Sequence, residues 1–480
     1  MNSLLNQANT ILSQANKSAD DHWRPKFHIT PPSGLLNDPN GFIQFDGQYH
    51  LFFQWHPFAC QHGSKFWAHC TSDDLIQWNF KPTALAPDAS FDKNGCYSGS
   101  AFVLNDQLHL FYTGNLKDES GERVSTQCLA KAIDEKLESY EKLGPVIHSQ
   151  PQGYTAHFRD PKIWQHGERW YCVLGAQTEQ LTGQVLLYSS EDAQQWQYEA
   201  AIAGDGINGL TNFGYMFECP DLFGLDGQDV LIGCPQGIAP NGSDFHNLHN
   251  NGYFVGEFDY DTTQYTHGEF HPLDRGFEFY APQTTLAEDG RRLLSAWLGI
   301  PDEDNQPTVE HGWIHALSLV RSLHLVNGKV YQRPVEEHKT LRGEKFDFGT
   351  QKLSTNQAIT FSGENCFELS LKATEIEGLL TLRLAEIDQH FVEIRFDSAT
   401  GVFKLDRSHA LHQQGSRECT LSNRDSLDLQ IFFDRSILEI FVNNGEEVFS
   451  GRVFPAQLHS NTTVTSSKSC IIKELIRYDY

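Results

Sequence analysis

Five segments of this chain share one design, and this repeat limits the possible folds more than any other feature. Each segment has a short polar motif, an apolar strand, a tight turn and a second apolar strand. Successive motifs begin 59 to 62 residues apart, at Asn37, Ser98, Arg159, Glu218 and Tyr280. Hairpins recurring at one fixed period are typical of β-propellers, and loop insertions lengthen the repeat beyond that of the commonest blades. The repeat therefore predicts a five-bladed β-propeller.

The turns inside the five segments support this interpretation. Asp-Gly between alternating apolar runs is the strongest short-range signal for a β-hairpin. The predicted turns are Asp46-Gly47, Asn105-Asp106, His166-Gly167, Asp226-Gly227 and Asp289-Gly290. An unrelated all-β sandwich with accidental spacing is the alternative.

The pattern changes after the fifth segment. Residues 333–345 form a polar connector, and several strands of period two follow it without a further copy of the repeat. We therefore predict an all-β chain with three parts: an N-terminal helical extension over 1–22, a five-bladed propeller that carries the catalytic site over 23–335, and a C-terminal β-sandwich over 345–480.

Composition excludes several classes of partner. The net charge is −26 and no basic run occurs, so we expect neither nucleic acid nor an anionic membrane surface as a partner. The ten cysteines form no CxxC pair, which argues against a zinc site and a disulfide framework. Residues 1–21 lack the features of a secretory signal, so we expect a cytoplasmic protein. We also expect no cofactor and no metal ion.

Three of the motifs contribute a carboxylate. Asp38, Asp160 and Glu218 are each followed within two residues by proline. In a propeller, equivalent positions of successive blades meet at one end of the axial channel, so these side chains should converge. Converging carboxylates serve metal binding or glycoside hydrolysis. The motifs lack His or Cys at ligand spacing, which favours hydrolysis of a sugar, with nearby negative charge raising the pKa of the proton donor.

At these residues the chain resembles glycoside hydrolase family 32, which includes the invertases and sucrose-6-phosphate hydrolases. The resemblance extends from about Trp23 to the C-terminus. It rests on LNDPNG at 36–41, YSGSA at 97–101, FRDPK at 158–162, ECPDLF at 218–223, FYAPQ at 279–283 and DRSILEIFVNNG at 434–445. In this order, such a set of motifs is highly specific.

The resemblance implies a role for each carboxylate in a retaining reaction. Asp38 is the expected nucleophile, Glu218 the expected acid/base, and Asp160 the expected stabiliser of the transition state. Arg159 is expected to keep Asp160 ionised. The residues expected to contact the sugar are Asn37, Gln54, Trp67, Tyr97, Ser98, Arg159, Tyr280 and Trp297.

The chain also departs from the family pattern. His62-Gly63 stands where Trp-Gly is usual, and Trp67-Ala68-His69 replaces Trp-Gly-His. These departures concern the shape of the pocket and the preference for the leaving group. Hydrolysis of sucrose is our first hypothesis and hydrolysis of sucrose 6-phosphate the alternative. Transfer of fructosyl units and a catalytically silent sugar-binding propeller are the remaining hypotheses.

Overall fold

A computed structural model describes residues 3–14 and 21–480, and nearly all of its regular structure is β. The segment expected to be helical forms α1 over Leu4–Gln14, with Ala8 buried against the body of the protein. Asn9 anchors this helix, because its Oδ1 accepts a hydrogen bond from Thr83 N at 2.8 Å. Residues 1, 2 and 15–20 of the predicted helical extension lie outside the described residues. No helix within the described ranges is long and apolar enough to cross a membrane.

The first part of the chain forms five separate sheets. Each begins with two antiparallel strands joined at the predicted turn or, in the third sheet, one residue later, at Gly167-Glu168, because His166 still pairs with Arg169. In chain order the strands are β1 (Gly34–Phe45), β2 (Gln48–His56), β3 (Phe66–Ser72), β4 (Asn79–Leu85), β5 (Cys96–Leu104), β6 (Gln107–Lys117), β7 (Arg123–Ala132), β8 (Tyr140–Ile147), β9 (Tyr154–His166), β10 (Arg169–Thr178), β11 (Gly183–Ser190), β12 (Gln197–Gly204), β13 (Met216–Leu225), β14 (Gln228–Gln236), β15 (Gly252–Asp259), β16 (Gln264–His267), β17 (Tyr280–Leu286), β18 (Arg292–Leu298), β19 (Trp313–Ile314), β20 (Ala316–Leu317), β21 (Arg321–Val326) and β22 (Lys329–Pro334).

The first strands of the five sheets contact one another in cyclic order. Strand β1 contacts β5, β5 contacts β9, β9 contacts β13, β13 contacts β17, and β17 contacts β1. The short strand β19, which follows the second strand of the fifth sheet, pairs in parallel with β1. The end of this part of the chain therefore joins its beginning.

The second part of the chain forms two further sheets that share one hydrophobic core. A 3₁₀ turn (Glu336–Leu341) precedes them, and another (Pro307–His311) lies in the fifth sheet region. The strands are β23 (Lys345–Asp347), β24 (Gln351–Leu353), β25 (Ala358–Glu364), β26 (Cys366–Thr374), β27 (Leu379–Ile387), β28 (His390–Asp397), β29 (Val402–Asp406), β30 (Ser416–Thr420), β31 (Ser426–Asp434), β32 (Ile437–Val442), β33 (Glu447–Arg452), β34 (His459–Ser466) and β35 (Cys470–Asp479). Strands β23, β24, β26, β31–β33 and β35 form one sheet, and the others form its partner.

Buried ion pairs join the two parts. Arg321 of β21 is fully buried and forks onto Glu439 of β32, and it also contacts Asp274 Oδ2 at 3.0 Å. His28 lies between Asp434 Oδ2, at 2.8 Å, and Glu439 Oε1, at 3.1 Å. Both acceptors come from the DRSILEIFV motif. The motif therefore holds the second part of the chain against the first.

Replacing His28 by Gln should destabilise the protein more at pH 6 than at pH 9. Burial opposes the charge on His28, but its hydrogen bonds to the carboxylates of Asp434 and Glu439, together with their charges, outweigh burial and raise the pKa above 6.5. Its contribution to stability is therefore complete below about pH 6.5 and disappears as the pH rises through the raised pKa. We expect His28→Gln to lower the free energy of unfolding at pH 6 by about 3 kcal/mol, measured by denaturant unfolding.

His148→Gln, at an exposed position, is the control and should change stability little at either pH. A His28→Gln loss that is equal at pH 6 and pH 9 would contradict the prediction.

Candidate active site

The predicted site residues lie where the first strands are irregular. Each of these five strands loses register with its neighbour at its motif: between Leu36 and Pro39, Tyr97 and Gly99, Arg159 and Lys162, Glu218 and Asp221, and Tyr280 and Gln283. Such shifts interrupt the alternation of side chains and redirect them. Because the first strands contact one another, the redirected side chains meet.

Asp38 is held by a chain of polar contacts. Ser98 Oγ donates to Asp38 Oδ2 at 2.5 Å, and Asn37 Nδ2 donates to Asp38 Oδ1 at 3.0 Å. Gln54 Nε2 in turn donates to Ser98 Oγ at 2.7 Å. Burial raises the pKa of Asp38, and the charge of Glu218 adds to the effect, while the two hydrogen bonds oppose it. The carboxylate is thus fixed in one orientation on the first two sheets.

Glu218 is surrounded by donors. Arg159 binds Glu218 Oε1 through Nε, at 3.0 Å, and through Nη2. Tyr280 OH, at 2.6 Å, and Gln236 Nε2, at 2.7 Å, donate to Oε2. Burial alone would raise the pKa of Glu218, but the charge of Arg159 and the hydrogen bonds from Tyr280 and Arg159 outweigh it and hold the pKa below 4.5.

Asp160 adopts a left-handed backbone conformation, with φ of 66°. This conformation is costly for a residue other than glycine and is often found where function requires it. Thr113 Oγ1 accepts a hydrogen bond from Asp160 N at 3.1 Å, and Cys219 N donates to Asp160 Oδ2 at 3.0 Å. Burial raises the pKa of Asp160 to about 7, and the charges of Glu218 and Asp38 overcome part of the opposing effect of Arg159.

These pKa directions correct the sequence prediction. We expected a raised pKa at Glu218 and an ionised Asp160 beside Arg159. The guanidinium group instead forks onto Glu218 and lowers its pKa, whereas burial raises the pKa of Asp160 to about 7, so that Asp160 is the more readily protonated of the two. The cause is the direction of the Arg159 side chain, which the order of residues in the motif does not reveal.

Cys219 is a site residue that the sequence analysis missed. Its Sγ lies 3.9 Å from Asp38 Oδ2 and 3.7 Å from Asp160 Oδ2. Two carboxylates more than 120 residues apart in the chain therefore lie within 4 Å of one sulfur atom. Gln236 was also missed. Cys219 lies inside the ECPDLF motif and could have been noticed there, whereas Gln236, in β14, belongs to no motif.

The predicted aromatic residues have different surroundings. Trp67 is fully buried in the core with Phe52, and its Nε1 donates to Tyr97 O at 3.1 Å. Tyr97 is half-buried. Trp297 is 1% exposed, with its ring centroid 6.1 Å from that of Tyr280. Trp67 therefore positions the backbone of Tyr97, while Trp297 packs behind the ring of Tyr280.

A small cavity lies beside these residues. Its volume is about 10 Å³, and it is bordered by Ser98, Asp160, Cys219 and residues of the same strands. In the described ranges, 3–14 and 21–480, no group of three or more His, Cys, Asp or Glu side chains is arranged to hold a metal ion. The arrangement can provide one ionised carboxylate, one transferable proton and several donors to a small polar molecule.

Comparisons with known proteins agree with this chemistry. The family model for the glycosyl hydrolases family 32 N-terminal domain matches residues 28–334, and the model for the family 32 C-terminal part matches 336–475. Sucrose-6-phosphate hydrolase from Bacillus subtilis (strain 168) is 45% identical over 94% of this chain and 92% of its own length. The enzyme of that name from Salmonella typhimurium is 47% identical over 92% and 91%.

Solved structures give the same result. Sucrose-6-phosphate hydrolase from Lactobacillus gasseri superposes with a TM-score of 0.89 and 33% identity, covering 98% of this chain and 96% of that one. The Bombyx mori GH32 beta-fructofuranosidase BmSUC1 superposes with a TM-score of 0.86 and 31% identity, covering 98% and 97%. The chain therefore belongs to glycosyl hydrolase family 32 and is a glycoside hydrolase.

Proposed function

We propose that this protein hydrolyses sucrose 6-phosphate to fructose and glucose 6-phosphate, with retention of configuration. The observation that carries the proposal is the identity of 44–47% to three proteins named sucrose-6-phosphate hydrolase, over at least 92% of this chain. Our first hypothesis from the sequence was hydrolysis of sucrose itself. The relatives favour the alternative, hydrolysis of sucrose 6-phosphate. Attack on the fructosyl unit with retention of configuration is common to both hypotheses.

The proposal includes the architecture predicted from the repeat. The five sheets, with first strands in cyclic contact, form a five-bladed propeller over 23–335, and the two later sheets form a sandwich over 345–480. Residues 1–22 form the N-terminal extension. We also propose a cytoplasmic location, which the ten free cysteines support.

Asp38 is the proposed nucleophile. It attacks the anomeric carbon of the fructosyl unit, and the bond from that carbon to the glucosyl oxygen breaks. The hydrogen bonds from Ser98 and Asn37 hold its carboxylate in one orientation, which reduces the entropic cost of reaching the geometry of attack. Water later displaces Asp38, and the two inversions give net retention.

Glu218 is the proposed acid/base. It must carry a proton when the glucosyl oxygen leaves, whereas in the sugar-free protein Arg159 keeps it ionised. We infer that a bound sugar hydroxyl takes over part of the Arg159 fork, so that the pKa of Glu218 rises and the proton on Asp160 passes to it. Asp160, then ionised, stabilises the positive charge that develops on the fructosyl ring.

The remaining predicted residues orient the fructosyl unit. Those with polar groups beside the carboxylates are Asn37, Gln54, Ser98, Arg159 and Tyr280. Tyr97 contributes aromatic surface, whereas the buried Trp297 acts indirectly, by packing against Tyr280. Trp67 acts indirectly, through the backbone of Tyr97.

Product analysis tests the substrate. We expect a higher kcat/KM with sucrose 6-phosphate than with sucrose, and free fructose as the main product at high substrate concentration. Asp38→Asn should lower kcat at least about 10⁴-fold, because it removes the nucleophile while the binding donors remain. Oligosaccharide products would instead indicate fructosyl transfer, and unchanged turnover in Asp38→Asn would overturn the assigned nucleophile.

Ser98→Ala should move the acidic limb of the kcat/KM profile to higher pH. Without the hydrogen bond from Ser98 the pKa of Asp38 rises further, so less of the nucleophile is ionised in acid. We expect kcat/KM to fall about tenfold more at pH 5 than at pH 7. Ser125→Ala, another buried serine, which donates to Ala156 O at 2.8 Å, should leave the limb in place. An unshifted limb in Ser98→Ala would contradict the proposed contact.

With sucrose as substrate, kcat/KM should fall as the pH rises above about 7. Burial raises the pKa of Asp160 to about 7, and above that pH the site loses the proton that the leaving oxygen requires. Sucrose is used here because the phosphate group of the other substrate titrates near pH 6 itself. A profile that is flat between pH 6 and pH 9 would show that the proton is held elsewhere.

A further inference from the structure

Lys65 is a buried cation without an anion beside it. The residue is 4% exposed, and it makes no ion pair within 4 Å in the part of the chain that the structure describes. By contrast, two largely buried cations of β9 have carboxylate partners. Arg159 binds Glu218, and Lys162 lies 3.0 Å from Asp221 Oδ2. Burying an unpaired charge is unfavourable. An anion bound beside Lys65 would therefore supply the partner that its charge lacks.

The lysine contacts His62, which lies near the proposed acid/base. Its Nζ is 3.0 Å from Nδ1 of His62, which is exposed on the loop before β3. The His62 ring stands edge-on to Trp297, with centroids 6.1 Å apart, and Glu218 interacts with it electrostatically. Trp297 also packs against Tyr280, which donates to Glu218. Lys65 and His62 therefore border the region that the leaving group occupies, since Glu218 protonates the oxygen of that group.

The loop that presents the pair is fixed by its own contacts. His56 Nδ1 lies 2.7 Å from Gln61 O. A Cβ atom at Gly63 would lie 2.6 Å from the His56 ring, so this position accepts only glycine without movement. His62 and Lys65 are thus held in place before any ligand arrives, which reduces the entropic cost of binding.

The electrostatics favour an anionic ligand beside Lys65. The other charged groups of the proposed site include the carboxylates of Asp38, Asp160 and Glu218, and the protein as a whole carries a charge of −26. Burial lowers the pKa of Lys65 to about 7, although Asp38 opposes the shift. A dianion beside Nζ would restore the charge on the lysine and give His62 a partner for a second charged hydrogen bond.

We infer that Lys65 and His62 bind the phosphate group of the glucosyl 6-phosphate and so determine the preference for the phosphorylated substrate. The inference rests on the proposed function and deepens it. It also gives a reason for the departure at His62-Gly63: an imidazole and an ammonium group take the place of the aromatic wall that Trp-Gly would supply.

The alternative is a structural role, in which the charge of Lys65 stabilises the ionised form of Asp38. In that case removing the charge would impair both substrates equally, because the nucleophile attacks the same fructosyl unit in each. The ratio of the two kcat/KM values therefore separates the roles.

The experiment measures that ratio, sucrose 6-phosphate over sucrose, for the full-length protein and its variants. Lys65→Met should lower the ratio about 30-fold or more, since it removes one partner of a buried charge pair. His62→Gln lies on the exposed loop, where folding is less at risk, and should lower the ratio in the same direction. Lys81→Met is the matched control: this lysine pairs with Glu138 at 3.6 Å on the outer strand β4, and its loss should leave the ratio unchanged.

A second measurement uses the product as a probe. Inhibition by glucose 6-phosphate should weaken in Lys65→Met by a similar factor, whereas inhibition by glucose should not. If the wild-type protein prefers sucrose, the proposed function fails. If the wild-type protein prefers sucrose 6-phosphate but both variants keep its ratio, the proposed function stands and the inference about Lys65 and His62 is wrong.

Discussion

The mutual packing of the five first strands is the constraint on which the site depends. Each strand loses register at its motif, and each contacts the next one in the cycle. Like charges at short distance repel, and the isolated motifs would keep their carboxylates apart in water. The packing of the first strands against one another brings Asp38 and Asp160 to within 4 Å of the same atom, Cys219 Sγ. The left-handed conformation of Asp160 persists because its neighbours fix both sides of it.

This crowding has a direct chemical use. A retaining hydrolase needs one carboxylate that attacks and one that gives a proton, and three buried carboxylates with a single arginine can share both tasks. In the sugar-free protein the fork of Arg159 stabilises the charge on Glu218 and lowers its pKa, whereas burial raises the pKa of Asp160 to about 7. In the proposed mechanism, binding of the substrate redistributes the proton between these two carboxyl groups. The same arginine that fixes Glu218 in the free state is thus the group through which a sugar can act on its pKa.

The second part of the chain is joined to the first by buried ion pairs. The DRSILEIFV motif looks like a candidate for chemistry, since it contains two carboxylates, yet Asp434 and Glu439 are both buried against His28 and Arg321. These pairs join the later sheets to β21 and to the segment before β1. A buried ion pair is weak evidence for stability as such, but removing one partner leaves the others uncompensated, so the relative position of the two parts is strongly specified.

The sequence by itself determined the strand pairs, the turns and the identity of the converging motifs. Turn residues and alternating apolar residues act over a few neighbours along the chain, and the hairpins at Asp46-Gly47 and Asp226-Gly227 followed from them. The motifs also sufficed to name Asp38, Asp160 and Glu218. Only the tertiary structure decided that the pKa of Asp160 is raised while that of Glu218 is lowered, that Trp67 packs in the core, and that Cys219 and Gln236 border the site. These properties depend on distances between atoms of different sheets, and electrostatic energies inside a protein change steeply with such distances. No local pattern encodes them.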